Sequence, residues 1–144
     1  MTVLRDMSPE TRWRAVIDIG TNSVLLLIAR RAVGSAVEVL LDQSTITRLG
    51  KGAGQSGVLA PDAIARTLAV LRRYRETAEA HGASLLAVTT EGVRMASNRD
   101  DFLAPAAEVL GAPVRLLGGD EEAELSYRSV AQETGGAGPL RVID

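Results

Sequence analysis

Short apolar runs separated by turn-forming residues fill the first third of the chain, and beyond residue 60 they alternate with helical periods. Residues 13–19 and 24–29 are nearly continuous in Val, Leu, Ile and Ala, the composition of buried strands. A third run, residues 36–46, alternates in part at Val37, Val39 and Leu41 and follows a polar connection from Arg30 to Ser35, so the three predict an antiparallel meander. Gly50, Gly52, Gly54 and Gly57 then mark a loop, and Pro61 stands at a first helical position. Ile64, Leu68, Leu71 and Ala78 recur at helical spacing after it. Arg66, Arg72, Arg73, Arg75 and Glu79 take the other faces as a solvated surface, and Gly82 supplies the stop.

Residues 85–89 form a short apolar run that suits a buried parallel strand, and residues 99–110 read as a helix closed by Gly111 and Pro113. A strand over 114–117 and a helix over 121–132 complete the alternation, the helix carrying Ala123, Tyr127, Val130 and Ala131 on one side. The order predicts an α/β fold with a mixed sheet, antiparallel first strands and helices on both faces. Residues 1–12 are polar and irregular, a loose tail, so the folded lobe spans 13–133. The chain closes on Leu140-Arg141-Val142-Ile143-Asp144, an echo of Arg14-Ala15-Val16-Ile17-Asp18. Residues 134–144 therefore read as a linker and the first strand of a second copy of the fold, cut at its start.

Composition narrows the class. The chain has 144 residues, 46% of them hydrophobic and only 3% aromatic, so its core is built from aliphatic side chains. A domain of this length buries roughly 68–70% of its unfolded surface, enough for a real core. A net charge of -2 argues against general nucleic-acid binding and leaves a polyanion only a local basic patch. The absence of cysteine removes thiolate zinc and redox sites and suits a reducing cytoplasm. No secretory signal core and no run near ~20 apolar residues appears, so the expectation is a cytoplasmic protein without a membrane partner.

The turn Asp18-Ile19-Gly20-Thr21-Asn22-Ser23 carries the first candidate chemistry. Its backbone N–H groups and the Thr21 and Ser23 hydroxyls can make an anion-binding concavity, and Asp18 can hold a cation or a metal-bound water beside it. An ordinary hairpin turn has the same composition, and the turn alone does not separate the two readings. Arg94 offers bidentate donors that match phosphate oxygens, or else pairs with Asp100 or Asp101 on the surface. Arg48 and Lys51, flanked by glycines, rank below it as contacts to an extended polyanion. Glu121 and Glu122 fit the first turn of a helix, where the macrodipole favours carboxylates whatever their function. His81 beside Gly82 reads as an exposed helix end, and Trp13 and Tyr127 as core or interface residues.

Four segments in this order, Asp18 to Ser23, Thr47-Arg48-Leu49-Gly50-Lys51-Gly52, Thr90-Glu91-Gly92-Val93-Arg94-Met95-Ala96-Ser97-Asn98 and Gly119-Asp120-Glu121-Glu122-Ala123-Glu124-Leu125-Ser126-Tyr127, resemble the exopolyphosphatase and guanosine pentaphosphate phosphohydrolase family. The resemblance runs from Arg14 to Asp144 and is specific as a set. It implies one lobe of a two-lobed, actin-like fold of the ribonuclease H type, with the ligand cleft between lobes. It further implies release of terminal orthophosphate from inorganic polyphosphate or guanosine pentaphosphate by in-line attack of water. In that scheme Glu122 is the base, Gly20, Thr21, Asn22, Ser23 and Arg94 bind phosphate, and Asp144 is a ligand of Mg²⁺ or another divalent cation.

Gly92 departs from the family pattern and is expected to loosen the loop that carries Arg94. The larger departure is truncation after Asp144, which predicts that the fragment turns over little substrate and holds metal poorly. A homodimer is expected of an intact protein. The competing classes are another actin-like ATPase or kinase lobe, and a non-catalytic sensor of guanosine phosphates.

Overall fold

The computed structural model describes residues 12–133. Five strands form one sheet in the order β3-β2-β1-β4-β5: β1 (Arg14–Ile19), β2 (Ser23–Arg30), β3 (Glu38–Ile46), β4 (Ser84–Thr89) and β5 (Val114–Leu116). β1 pairs antiparallel with β2, which pairs antiparallel with β3, while β4 runs parallel to both β1 and β5. This is the mixed α/β sheet that the sequence pattern predicts. The long helices are α2 (Pro61–Ala80), α4 (Asp100–Leu110) and α5 (Gly119–Glu133), with single turns at α1 (Ala53–Ser56) and α3 (Glu91–Arg94).

The glycine-rich stretch is thus not loop throughout. α1 is one helical turn bracketed by Gly52 and Gly57, both in the left-handed region at φ 80° and 69°, where a side chain would be strained. α2 begins at Pro61, whose missing N–H costs nothing in a first turn. Its buried stripe is Ala63, Thr67, Val70, Leu71, Tyr74 and Ala78, turned from the predicted one so that Ile64 and Leu68 are only half-buried. Small Ala63 and Thr67 let the helix approach the sheet, and Thr67 satisfies its hydroxyl on the Ala63 carbonyl at 2.8 Å. Tyr74 fills the centre. Its hydroxyl lies 2.8 Å from Thr45 Oγ1 and donates to the Val24 carbonyl at 3.3 Å, tying α2 to β2 and β3.

One face of the sheet presents Ala15, Ile17, Ile19, Val24, Leu26, Ile28 and Ala87 to α2 and α4, whose Phe102, Ala106 and Leu110 complete the cluster. The sequence predicts helices on both faces. α2 and α4 lie together on this one, and on the opposite face Leu25 and Leu86 are 42% and 48% exposed. Trp13 is half-buried under the Arg30 guanidinium, 4.4 Å above its ring, a cation–π contact. Tyr127, expected as core or interface, is 47% exposed on α5, and Leu125 beside it 50%. No described helix is long and apolar enough to cross a membrane. The predicted tail through Thr11, the linker from Thr134 and the terminal strand with Asp144 lie outside the described residues.

Candidate functional site

The turn from β1 to β2 is tight: the Gly20 N–H donates to the Ser23 carbonyl at 3.0 Å. That bond engages the Gly20 amide inside the turn. Among the described residues the N–H groups of Thr21 and Asn22 take no partner, so these two are the amides the turn can offer an anion. The loop after β3 clamps the turn from outside. Thr47 and Arg48 donate their N–H groups to the Asn22 carbonyl at 3.0 Å and 2.9 Å, and Gly50 donates to the Thr21 carbonyl at 2.8 Å.

The Thr21 side chain sits between two glycines. A Cβ on Gly50 would stand 2.7 Å from Thr21 Cβ, and one on Gly92 would stand 2.1 Å from Thr21 Cγ2, both inside contact distance. Gly92 therefore does not loosen its loop. Having no side chain, it lets the loop after β4 close on Thr21, and the loops after β1, β3 and β4 interlock.

Parallel pairing sets the rest. Ile19, Thr89 and Leu116 stand side by side at the carboxyl ends of β1, β4 and β5, and the buried Thr89 hydroxyl donates to the Ile19 carbonyl at 2.7 Å. The loops that leave these ends gather on one edge, where open α/β sheets bind their ligands. Arg94 closes α3 and reaches across to the Leu117 carbonyl (Nη1, 3.4 Å), with Nη2 3.4 Å from Glu91 Oε1 and the side chain 31% exposed. It pairs with neither Asp100 nor Asp101. Glu122, half-buried in the first turn of α5, donates its N–H to the Gly118 carbonyl at 2.9 Å. Glu121 pairs with Arg115, while Glu122 has no cationic partner among the described residues. A 440 Å³ hollow runs along Thr21, Gly50, Gly92, Met95 and Ala96. The structure brings Thr21, Gly92 and Arg94 to one edge with the start of α5, though Arg94 and Glu122 do not line this hollow.

Asp18 lies one residue inside that edge, flanked in register by Leu25 and Val88. Burial pushes its carboxyl above its ordinary value, and its buried Oδ1 has no hydrogen-bond partner. A carboxylate oxygen stripped of water and donors fits a hard cation. The described residues gather no group of three acidic or histidine ligands around it, and Asp144 lies outside them. The chain thus offers a cation one fitting oxygen, not a complete set.

Arg48 and Lys51 sit on the far side of the loop after β3, lining a separate 330 Å³ hollow with Thr47, Asp62 and Arg66. Arg48 holds a left-handed backbone at φ 52°, the only non-glycine to do so among the described residues. Arg66, expected on a solvated face, donates Nε to the Thr47 carbonyl at 2.7 Å. Arg75, expected on the same face, caps the Val109 carbonyl at 3.1 Å. Neither role has a local sequence signal, since each partner lies 19 or 34 residues away. His81 accords with its expected helix-end position, its Nδ1 2.8 Å from the Thr77 carbonyl. A separate 550 Å³ hollow lies at the opposite end of β1 and β2 among Arg12, Arg14, Leu27 and Val33, away from these loops.

Fold and loops together define a class: a mixed α/β domain whose loops gather at the carboxyl ends of its parallel strands, the edge where open α/β sheets bind ligands. The chain belongs to the Ppx/GppA phosphatase family, whose model matches residues 27–144, including the Arg94 loop and the start of α5 but beginning after the Asp18–Ser23 turn. It is 44% identical over 140 residues to exopolyphosphatase 2 of Mycobacterium tuberculosis, covering 90% of this chain and 44% of that protein. The crystal structure of the Aquifex aeolicus Ppx/GppA family member aligns with a TM-score of 0.77 at 32% identity, over 83% of this chain and 39% of that one. An exopolyphosphatase from Cytophaga hutchinsonii aligns at 0.78 and 30%, over 84% and 39%. The chain spans less than half the length of these relatives.

Proposed function

We propose that the chain is the N-terminal lobe of a phosphohydrolase that removes terminal orthophosphate from inorganic polyphosphate, forming one wall of a cleft that a second lobe completes. The observation that carries the reading is the interlock of Thr21 with Gly50 and Gly92, which holds free turn amides on the edge that Arg94 also reaches. The identity to an exopolyphosphatase supports the choice of substrate. In this reading the Thr21 and Asn22 N–H groups, the Ser23 hydroxyl and Arg94 hold the phosphoryl oxygens and stabilise charge that develops there. Glu122, without a cationic partner among the described residues, accepts the proton of the attacking water as the P–O bond to the leaving phosphate breaks. A divalent cation such as Mg²⁺, held by Asp144 and by Asp18 through its unpaired oxygen, would supply charge neutralisation on the substrate oxygens.

In the complete protein, Glu122→Gln should lower phosphate release about 10²–10⁴-fold with the circular dichroism spectrum unchanged. Release at the native rate would sink the assignment of the base. Long-chain polyphosphate, guanosine pentaphosphate and ATP assayed side by side test the substrate class. A preference for ATP would transfer the chain to the kinase and ATPase reading, and binding of guanosine phosphates without hydrolysis to the sensor reading. The isolated lobe should fold and show little turnover.

A further inference from the structure

We propose that the hollow between the loop after β3 and the first turns of α2 is a second phosphate-class anion site, on the opposite side of that loop from the Thr21 hollow. Three cationic side chains, Arg48, Lys51 and Arg66, line it against the single carboxylate of Asp62. Among the described residues neither Arg48 nor Lys51 has an ion-pair partner, and both are exposed, so their charge is free for a ligand. Arg66 is fixed in place, its Nε on the Thr47 carbonyl at 2.7 Å and its Nη1 3.4 Å from Asp62, a planar donor array held before any ligand arrives. The wall also contains Thr47, wholly buried, whose hydroxyl has no hydrogen-bond partner.

The Arg48 backbone shapes this wall. A left-handed φ of 52° at a residue with a side chain is strained and persists where surrounding bonds over-determine it. Here the Arg48 N–H is tied to the Asn22 carbonyl and its own carbonyl accepts from Lys51 at 3.1 Å. The strain turns the chain so that Arg48 and Lys51 line the same hollow. Gly50 separates the two sites: it lies against Thr21 in one hollow, while Arg48 and Lys51 line the other.

The shared ligand chemistry is a phosphoryl anion. Its source is either the distal part of a polyphosphate chain that leaves the cleft, which rests on the function proposed above, or a free anion. Titration of the 144-residue chain with tripolyphosphate and with orthophosphate, followed by amide NMR, separates them. Wild type should show shifts at Thr47, Arg48 and Lys51, and Lys51→Ala should weaken the affinity about tenfold. Lys51 is exposed, so its loss leaves the fold intact, and Arg66→Gln serves as the second variant by removing the fixed guanidinium. If Arg94→Ala weakens tripolyphosphate as well, the ligand spans both sites; if it leaves the shifts at Thr47 and Arg48 unchanged, the hollow binds a free anion, and either result upholds the site. Shifts confined to Thr21 and Gly92, or affinities unmoved by both Lys51→Ala and Arg66→Gln, overturn it. Should the complete protein release no phosphate from polyphosphate while these shifts persist, the proposed function fails and the anion site stands.

Discussion

On one side of the candidate site Gly50 and Gly92 stand where a Cβ would strike Thr21, at 2.7 Å and 2.1 Å, whereas on the other a Cβ on Gly118 or Gly119 would meet no neighbour within 4 Å among the described residues. The same residue type is therefore used for close approach in one wall and carries no steric demand in the other. The first wall is locked by its own packing and by three N–H donations from the loop after β3 into the turn. The second begins an amphipathic helix whose Leu125 and Tyr127 stay about half exposed. The turn proposed to hold phosphate is thus organised within the chain, while the proposed base, Glu122, stands on a helix whose start meets no such close contact. A base must be held to within a fraction of an ångström to work, which is why the isolated lobe is expected to bind better than it turns over.

Gly50→Ala should produce the largest loss on the locked side. Its new Cβ meets the Thr21 Cβ, which no rotamer change can move, and Thr21 Cα lies at 3.5 Å. Overpacking of this kind typically costs about 1–3 kcal/mol, read from urea unfolding midpoints at constant slope. A variant as stable as wild type would mean the turn and the loop after β3 can slide apart. Gly92→Ala should cost less, about 1 kcal/mol, because the atom it meets is Cγ2, which a χ1 rotation can swing away. The two differ in their rescue: Thr21→Ala removes Cγ2 and should restore Gly92→Ala, yet leaves the Cβ that Gly50→Ala strikes. Equal rescue of both would break the distinction.

The difference between the walls also marks what the sequence made legible. The strands, α2, α4 and the turn Asp18–Ser23 are written locally, in apolar runs, in Pro61 and in Gly111, and they appear within a few residues of their predicted limits. The family likeness was likewise carried by contiguous segments, and the family match bears it out. The reason for Gly92 was not legible, since it lies in Thr21, 71 residues back, and no local rule joins them. Nor was the buried stripe of α2, in which Tyr74 bonds to Val24 and Thr45 across the core. Arg66 is exposed as its helical spacing predicts, but that spacing shows which face a residue takes and not which carbonyl waits there.

Asp18 sits between the walls and carries a pH signature. Burial raises its folded-state value above the unfolded one, so the unfolded chain ionises first as pH rises. Between those two values the unfolded state binds fewer protons than the native state, and native stability falls; above both, the loss is constant. Asp18→Asn should therefore be more stable relative to wild type at pH 7 than at pH 3, by less than the cost of either glycine variant, because the residue is only half-buried. Urea titrations at the two pH values give the comparison. A wild-type chain that regains this stability on adding Mg²⁺ at pH 7, with Asp18→Asn unresponsive, would tie the unpaired Oδ1 to a cation. An Asn variant equally shifted at both pH values would remove the carboxylate from the pH dependence.

The smallest effect belongs to the open wall, and its sign is opposite. Gly119 begins α5 with no neighbour within 4 Å of a new Cβ among the described residues and without a left-handed backbone. Alanine there meets nothing and narrows the unfolded ensemble, so Gly119→Ala should stabilise the chain by about 0.5 kcal/mol. The same chemical change that damages the Thr21 lock would then strengthen the start of the helix that carries Glu122. A measured destabilisation approaching that of Gly50→Ala would show that the glycine backbone of this wall is also held against a neighbour, and the asymmetry between the walls would collapse. A small gain in stability, with amide exchange slowed at Glu121 and Glu122 but not at Thr21, would locate the looser half of the site in the first turn of α5.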